Sequence, residues 1–381
     1  MTEQFDCVVV GGGPVGAAAA LELARADLRV LLIEARDSRG VASETRPLAL
    51  SYGSRLILER LGVWDALAAV NPIERIHISQ RGRFGRVLFK AADSSLPALG
   101  YVLDYRALVS ALDAAIATDG LRTLRGARVA SIAHDATSAR VEFETSEGSG
   151  ECLASVVAVA DGTAETAGIE ARVVDYGQSA VSAWVETDVP HANTAYERFT
   201  PEGPLALLPQ AGGYALVWTM AAERAQRLCD AAPAAFLAEL QERFGERAGR
   251  FNAVAARAVH RIALRVAESI SCGRAVLIGN SAQALHPVAG QGFNLGLRDA
   301  WELAVEIRRR GARDEALPRD YSARRRVDRT GAVAFTHALV KVFSNDWLPL
   351  GLARGAGLTL LDCFPPAKDF VVRRMVFGSR G

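Results

Sequence analysis

The sequence predicts an α/β protein with three parts. These are a Rossmann-like parallel sheet assembled from separated segments, an inserted mixed or antiparallel sheet, and a helical C-terminal region. Three observations carry this. Cys7 to Val10 is a continuous apolar run that enters a glycine turn and an alanine-rich helix pattern, as a strand buried on both faces does. Two more apolar strands that stop in turns come much later, at Ser155 to Gly162 and Ala275 to Gly279. Between them, Ser179 to Met220 reads as antiparallel strands.

The elements follow in order. The glycine turn, Gly11 to Gly16, leads to a helix over Ala17 to Arg25 and a second buried strand over Arg29 to Ala35, which completes one βαβ unit. In SYGSRLILERLGVWDAL, Leu56, Leu58, Leu61 and Val63 are spaced for one apolar helix face. Short strands alternate from about Pro72 to Ala98, a helix follows in LDYRALVSALDAAIATDG, and strands return around VASIAHD and ARVEFETSEG. Pro233 to Phe244 is a helix, a long helix runs from about Gly296 to Arg310, and the chain is mostly helical from Tyr321 onward. That last stretch opens with Arg324, Arg325, Arg326 and Arg329, which read as a solvated helix face. The division is then 1–70, 101–170 and 272–335 for the nucleotide-binding lobe, 71–100 and 171–271 for the inserted sheet, and 336–381 for the helical region.

Composition narrows the function. The 381 residues carry 44 basic and 43 acidic side chains, a net charge of +1, so nothing points to a nucleic-acid partner. Five scattered cysteines without a CxxC fit neither a disulfide framework nor a zinc site, and suit a reducing, cytoplasmic setting. MTEQFD resembles no targeting signal. The nearest approach to a membrane span, WLPLGLARGAGLTLLDCF, is broken by Arg354 and Asp362, which leaves peripheral contact with a membrane surface open.

The chemistry sits in the turns. Gly11, Gly13 and Gly16 stand at GxGxxG spacing: Gly11 for the tight turn, Gly13 for close approach of a pyrophosphate, Gly16 for helix packing on the sheet. Glu34 ends the second strand, where a carboxylate can accept hydrogen bonds from ribose hydroxyls. This motif does not separate NAD from FAD. The segment Ala275 to Ala300 does, because its loop with Pro287, Gly290 and Gly292, followed by a helix starting near Asn294, can aim N–H groups and a helix dipole at a flavin ring. His286 in that loop is the best histidine for a local polar role. No HxxH or HExxH suggests a metal, and no GxSxG suggests a serine hydrolase.

GGGPVG, the ADG at Ala160 to Gly162, and GNSAQALHPVAGQGFNLGLRDA closely resemble the three FAD motifs of the class A flavoprotein aromatic hydroxylases. Within them the chain resembles the ubiquinone-biosynthesis hydroxylases of the polyprenyl-methoxyphenol branch, on RPLALSYGS, ERFTPEGPLALLP, the Gln of GNSAQ and FTHALVKVFSND. These blocks span almost the whole chain.

The resemblance implies tightly bound FAD, transient NADPH or NADH, and O₂, with ring hydroxylation of a polyprenylated methoxyphenol through a flavin C4a-hydroperoxide. It implies FAD contacts from Gly11, Gly13, Pro14, Gly16, Glu34, Arg36, Arg46, Arg106, Val129 and Asp161. Asn280, Pro287, Gly290, Gly292, Phe293 and Asn294 complete that set, with His286 beside Pro287 near the flavin. Asn280 stands where many relatives have Asp, and DGTAETAGIEARV departs from the usual Ser and Arg after the DG motif. The cofactor carries the oxidation, so no catalytic side chain is assigned. Phe199, Leu205, Leu207, Leu208 and Pro209 are expected as apolar walls for substrate. A polyprenyl tail implies work at the inner membrane face or within a multi-enzyme assembly. The alternatives are a class A hydroxylase of another substrate and a non-catalytic FAD-binding accessory protein.

Overall fold

The valine run and the glycine turn that follows it set the first unit, from which the rest of the chain is built outward. In chain order, β1 (Glu3–Val10), α1 (Pro14–Ala24), β2 (Val30–Glu34), β3 (Pro47–Ser51) and α2 (Tyr52–Arg60) come first. Next are β4 (Asn71–Ile73), β5 (Arg75–Gln80), β6 (Arg86–Lys90), β7 (Gly100–Asp104) and α3 (Tyr105–Thr118). Then follow β8 (Arg122–Arg125), β9 (Arg128–His134), β10 (Ala139–Thr145), β11 (Gly148–Val159), β12 (Ala171–Thr187), β13 (Thr194–Thr200), β14 (Gly203–Gln210) and β15 (Gly213–Ala221). After α4 (Ala222–Asp230) and α5 (Pro233–Phe244) run β16 (Phe251–Ala267), β17 (Ser271–Cys272), β18 (Ala275–Leu277) and β19 (Gln283–Ala284). Four helices close the chain: α6 (Gln291–Arg310), α7 (Leu317–Phe343), α8 (Leu348–Cys363) and α9 (Pro365–Phe377). The computed structural model describes residues 2–37, 46–343 and 347–380, so Ser344 to Asp346 of the FTHALVKVFSND block lie outside the described residues.

Three sheets result. The first runs β17-β18-β11-β1-β2-β8, with β10 on β11 and β9 on β10. Its central pairs are parallel, and Cys7, Val8 and Val9 are fully buried where α1, α3 and α6 cover it. The second runs β19-β16-β12-β15-β14-β13-β5-β6, antiparallel except for the parallel pair β13–β5. The third is a small antiparallel sheet, β3-β7-β4. The second sheet has its own core, in which Leu205, Leu207 and Trp218 meet Phe236, Leu240 and Phe244 of α5.

Several elements depart from the expectations. β16 was not expected: its alanines favour helix locally, and pairing along nearly the whole of β12 overrides that propensity. α2 ends at Arg60, and Leu56 is 41% exposed while Leu58, Leu61 and Val63 are buried. α6 begins at Gln291, one turn before the expected start. α7 runs unbroken through residues 335 and 336. The arginine cluster is not a solvated face. Arg325 is buried between Asp299 and Asp328, Arg324 pairs with Glu302, and Arg329 donates to the Ala267 carbonyl; of the four, Arg326 stays exposed.

Candidate functional site

The turn after β1 is shaped by adjacent backbones. Gly11 has φ +98°, and a Cβ there would lie 2.6 Å from the Asp161 nitrogen, because β1 and β11 end side by side. At Gly16 a Cβ would meet the Gly11 carbonyl at 1.9 Å, so this glycine lets α1 seat on the sheet. Gly13 differs: nothing lies within 4 Å of its Cβ position, and it faces open space. Pro14 opens α1, and no side chain caps it, which leaves the helix N-terminus available to an anion.

Glu34 is buried at the end of β2. Its carboxylate accepts from the Gly12 N–H, from the Arg36 N–H at 2.8 Å and from Arg36 Nε at 3.0 Å. Burial alone would raise its pKa, but the hydrogen bonds and charge of Arg36, with the Gly12 N–H, hold it below the ordinary carboxylate value. Arg46 stacks its guanidinium 4.3 Å from the Tyr105 ring centroid. Asp161 accepts from the Thr163 N–H at 3.1 Å, the Ser281 hydroxyl at 3.2 Å and the Thr166 hydroxyl. The threonines of the departing DG tail therefore hold this carboxylate in place.

The later loop is tied down by one side chain. Asn294 is buried; its Oδ1 accepts from the Ser51 N–H at 2.8 Å and the Ser54 hydroxyl at 2.7 Å, while Nδ2 donates to the Gly290 carbonyl at 2.9 Å. Gly290 takes the left-handed conformation (φ +59°) that starts α6, and a Cβ at Gly292 would meet only Leu285 Cβ, at 3.9 Å, an ordinary contact distance. His286 is buried and accepts from the Val288 N–H at 3.1 Å through Nδ1. Its Nε2 has no partner. Burial pushes its pKa down to about 4, so the ring is neutral at pH 7 and carries its proton on Nε2.

One cavity of about 1110 Å³ joins these pieces. It is lined by Gly11, Gly13, Pro14, Glu34, Arg36, Arg46, Val129 and Asp161 on the sheet side, and by Asn280, His286, Pro287, Gly290, Gly292, Phe293 and Asn294 from the loop. An uncrowded glycine beside an uncapped helix N-terminus, a ribose-ready carboxylate and a glycine loop at a second helix start suit a dinucleotide flavin. Gly16 lies behind the wall. Arg106, expected as a contact, does not line the cavity; it sits exposed in the first turn of α3, where Asp104 caps its N–H.

The substrate walls need a correction. Phe199 and Leu208 line the cavity, but Leu205, Leu207 and Pro209 do not. Alternation along β14 turns Leu205 and Leu207 into the α5 core, so Ala206 and Leu208 are the cavity-facing pair. Along β13, Glu197 and Phe199 line the cavity, while Arg198 reaches over Phe244 on the far side. Glu197 was not singled out from sequence, although an acid alternating with Ala195 and Phe199 was a readable signal. The far end of the cavity is apolar, walled by Leu358 and Leu361 of α8 and Val372, Met375 and Val376 of α9.

Comparison with known proteins places this geometry. The model of the family described as FAD binding domain matches residues 4–336. The ubiquinone hydroxylase UbiL of Rhodospirillum rubrum is 34% identical over 97% of this chain and 88% of its own. The 3-demethoxyubiquinol 3-hydroxylase of Escherichia coli is 32% identical over 94% of this chain and 95% of its own. Among solved structures, the p-nitrophenol 4-monooxygenase PnpA of Pseudomonas putida superposes with a TM-score of 0.78 at 19% identity, covering 100% of both chains, and so shares the fold. A cavity built around a flavin-ready glycine turn and a match over most of the chain agree: this chain belongs to the FAD binding domain family, and it is an FAD-dependent aromatic monooxygenase.

Proposed function

We propose that this enzyme uses NAD(P)H and O₂ to hydroxylate the ring of a polyprenylated methoxyphenol in ubiquinone biosynthesis. The observation that carries the reading is the continuity of one cavity, from the FAD-binding residues past the second sheet into an apolar arm between α8 and α9. A ring placed beside the flavin leaves that arm for a hydrocarbon tail to enter. Burying the tail contributes affinity at roughly 25 cal/mol per Å².

FAD, when bound, supplies the redox chemistry that activates O₂ toward an electron-rich ring. The chain's own residues do the rest. Of the cavity-lining residues, Gly11, Gly13, Pro14 and Glu34 would hold the adenosine half, Asp161 and Asn280 the middle of the cofactor, and the loop from His286 to Asn294 would offer N–H groups to the ring. Phe199, Leu208 and Phe343 exclude water around the reacting ring. With Arg198 turned away, the described residues of the second sheet that line the cavity include no cation for a carboxylated phenol.

Among the described residues, no helix is long and apolar enough to cross a membrane. Leu348, Leu352 and Leu360 of α8, Phe370 of α9 and Phe364 between them are nevertheless exposed, on the helices that wall the apolar arm. This supports delivery of the tail from a lipid surface or from a partner enzyme. The test of the function is oxygen uptake by purified holoenzyme with NADPH. Prenylated methoxyphenol should stimulate uptake and yield a hydroxylated ring; equal response to hydroxybenzoate, or no product, sinks the reading.

A further inference from the structure

Carboxylates are uncommon on apolar cavity walls, because desolvating the charge costs several kcal/mol unless a partner offsets it. Glu197 stands on such a wall. Its side chain projects from β13 into the cavity, while Tyr196 and Arg198 pack toward Phe244 on the other face. Its register neighbours are Ile78 of β5 and Ala206 of β14, and the short alanine leaves room beside the carboxyl. Oε1 is buried with no hydrogen-bond partner, and burial raises the pKa to about 7. Two residues along the strand, Phe199 packs with Val288 of the loop that faces the flavin. The carboxyl therefore shares a sheet face with the residue that touches the cofactor side of the site.

A ring hydroxyl is the donor that this acceptor lacks. We propose that Glu197 is the catalytic base of the hydroxylation: it accepts the hydrogen bond of the substrate's phenolic hydroxyl and takes its proton. The assignment rests on the function proposed above. In this step the O–H bond breaks, the proton moves to Glu197, and the electron pair stays on the ring oxygen, where it enriches the ring for attack on oxygen. No oxidant is consumed in the transfer, and the proton passes on to solvent. The same geometry sets specificity, since a hydroxyl satisfies the buried oxygen whereas a methyl ether leaves it unpaired.

The test compares the wild-type holoenzyme with Glu197→Gln and Glu197→Asp on a short-chain prenylated phenol, its ring-fluorinated analogue and its methyl ether. Fluorination makes the hydroxyl ionise more readily and so lessens the need for a base. Glu197→Gln should keep FAD affinity and the rate of flavin reduction by NADPH. It should lose about 100-fold or more in kcat on the phenol, recover much of that loss on the fluorinated phenol, and fall below Glu197→Asp. An equal loss on both phenols, an unchanged kcat, or a parallel loss of FAD binding overturns the proposal. If the wild type hydroxylates none of these phenols, the functional reading fails instead, and binding decides for Glu197. The wild type should then bind the phenol about 10-fold more tightly than the ether, with the difference gone in Glu197→Gln; equal affinities in the wild type overturn the role.

Discussion

Arg325 Nε meets Asp299 Oδ1 at 2.7 Å with both side chains almost fully buried, and the other oxygen of Asp299 holds the turn that precedes the flavin loop. That second oxygen accepts from the Gly279 N–H at 3.0 Å and from Gln283 Nε2 at 2.8 Å. Arg325 also reaches Asp328 at 3.0 Å, and Asp328 in turn holds Arg298 at 2.9 Å. A buried ion network behind the cavity wall thus holds the turn that leads into the His286–Asn294 loop.

Removing Arg325 takes from buried Asp299 the guanidinium it pairs with and leaves Asp328 with Arg298. Arg325→Met should destabilise the protein by about 3–5 kcal/mol, read as a lower denaturant midpoint at pH 7. FAD affinity should fall as well, because the Gly279–Gln283 turn loses its anchor. A variant with wild-type stability would show that the network has no structural role.

Leu205 and Leu208 lie three residues apart on β14 and face opposite sides. Leu205→Ala should cost about 2–5 kcal/mol of stability by opening a void against α5, with little change in KM. Leu208→Ala should raise the KM for a prenylated phenol and cost less stability. Denaturation curves and steady-state kinetics on both variants check the pair, and the reversed pattern would contradict the assigned faces.

Glu34→Ala removes the carboxylate that accepts from Gly12 and faces the adenosine end of the cavity. FAD affinity should drop by about 1.5–3 kcal/mol, or roughly 10- to 150-fold in Kd. Quenching of flavin fluorescence on titration into apoprotein measures it.

Glu197 titrates at about 7 in the fold and at 4.5 without perturbation. The raised value means that the folded state holds the proton more tightly. Its contribution is fully present below pH 4.5 and is lost as pH rises through 7. The flanking side chains on this face, Ile78, Ala206 and Phe199, carry no titratable group, nor do Leu339 and Phe343 from α7 across the cavity. Glu197→Gln should match the apoprotein in stability near pH 4 and exceed it by up to about 3 kcal/mol at pH 8. Urea unfolding at the two pH values decides; a constant difference would mean that the carboxyl is not desolvated.

What could be read in the sequence was local. The glycine turn, the strand ending at Glu34, the α5 segment and the loop from His286 to Asn294 each carry their signal within a few neighbouring residues. What failed needed a partner from elsewhere in the chain. Leu205 and Leu207 look like Leu208 until α5 is known to cover one face of β14. Arg325 looks like a surface arginine until Asp299 is placed beneath it. The alanine-rich β16 looks like no strand until β12 lies alongside. Arg106 was placed by alignment with a family position, and the first turn of α3 carries it away from the cavity.

The parallel sheet has a consequence for biosynthesis. Its neighbouring strands β1, β11 and β18 start at Glu3 and end at Leu277, so the order in space is not the order of emergence from the ribosome. While the chain is being made, β1 and β2 can pair early and β10 covers β11 as far as Ala154, but the Val157–Val159 end of β11 stays unpaired on that edge until β18 emerges. Strands β12 to β16 of the second sheet are translated in the meantime. Such long-range closure is slow and leaves an apolar edge exposed to other chains. Free FAD cannot rescue that stage, since the loop that faces its ring is made later still. Soluble yield should therefore depend more on chaperone supply and translation speed than on flavin in the growth medium.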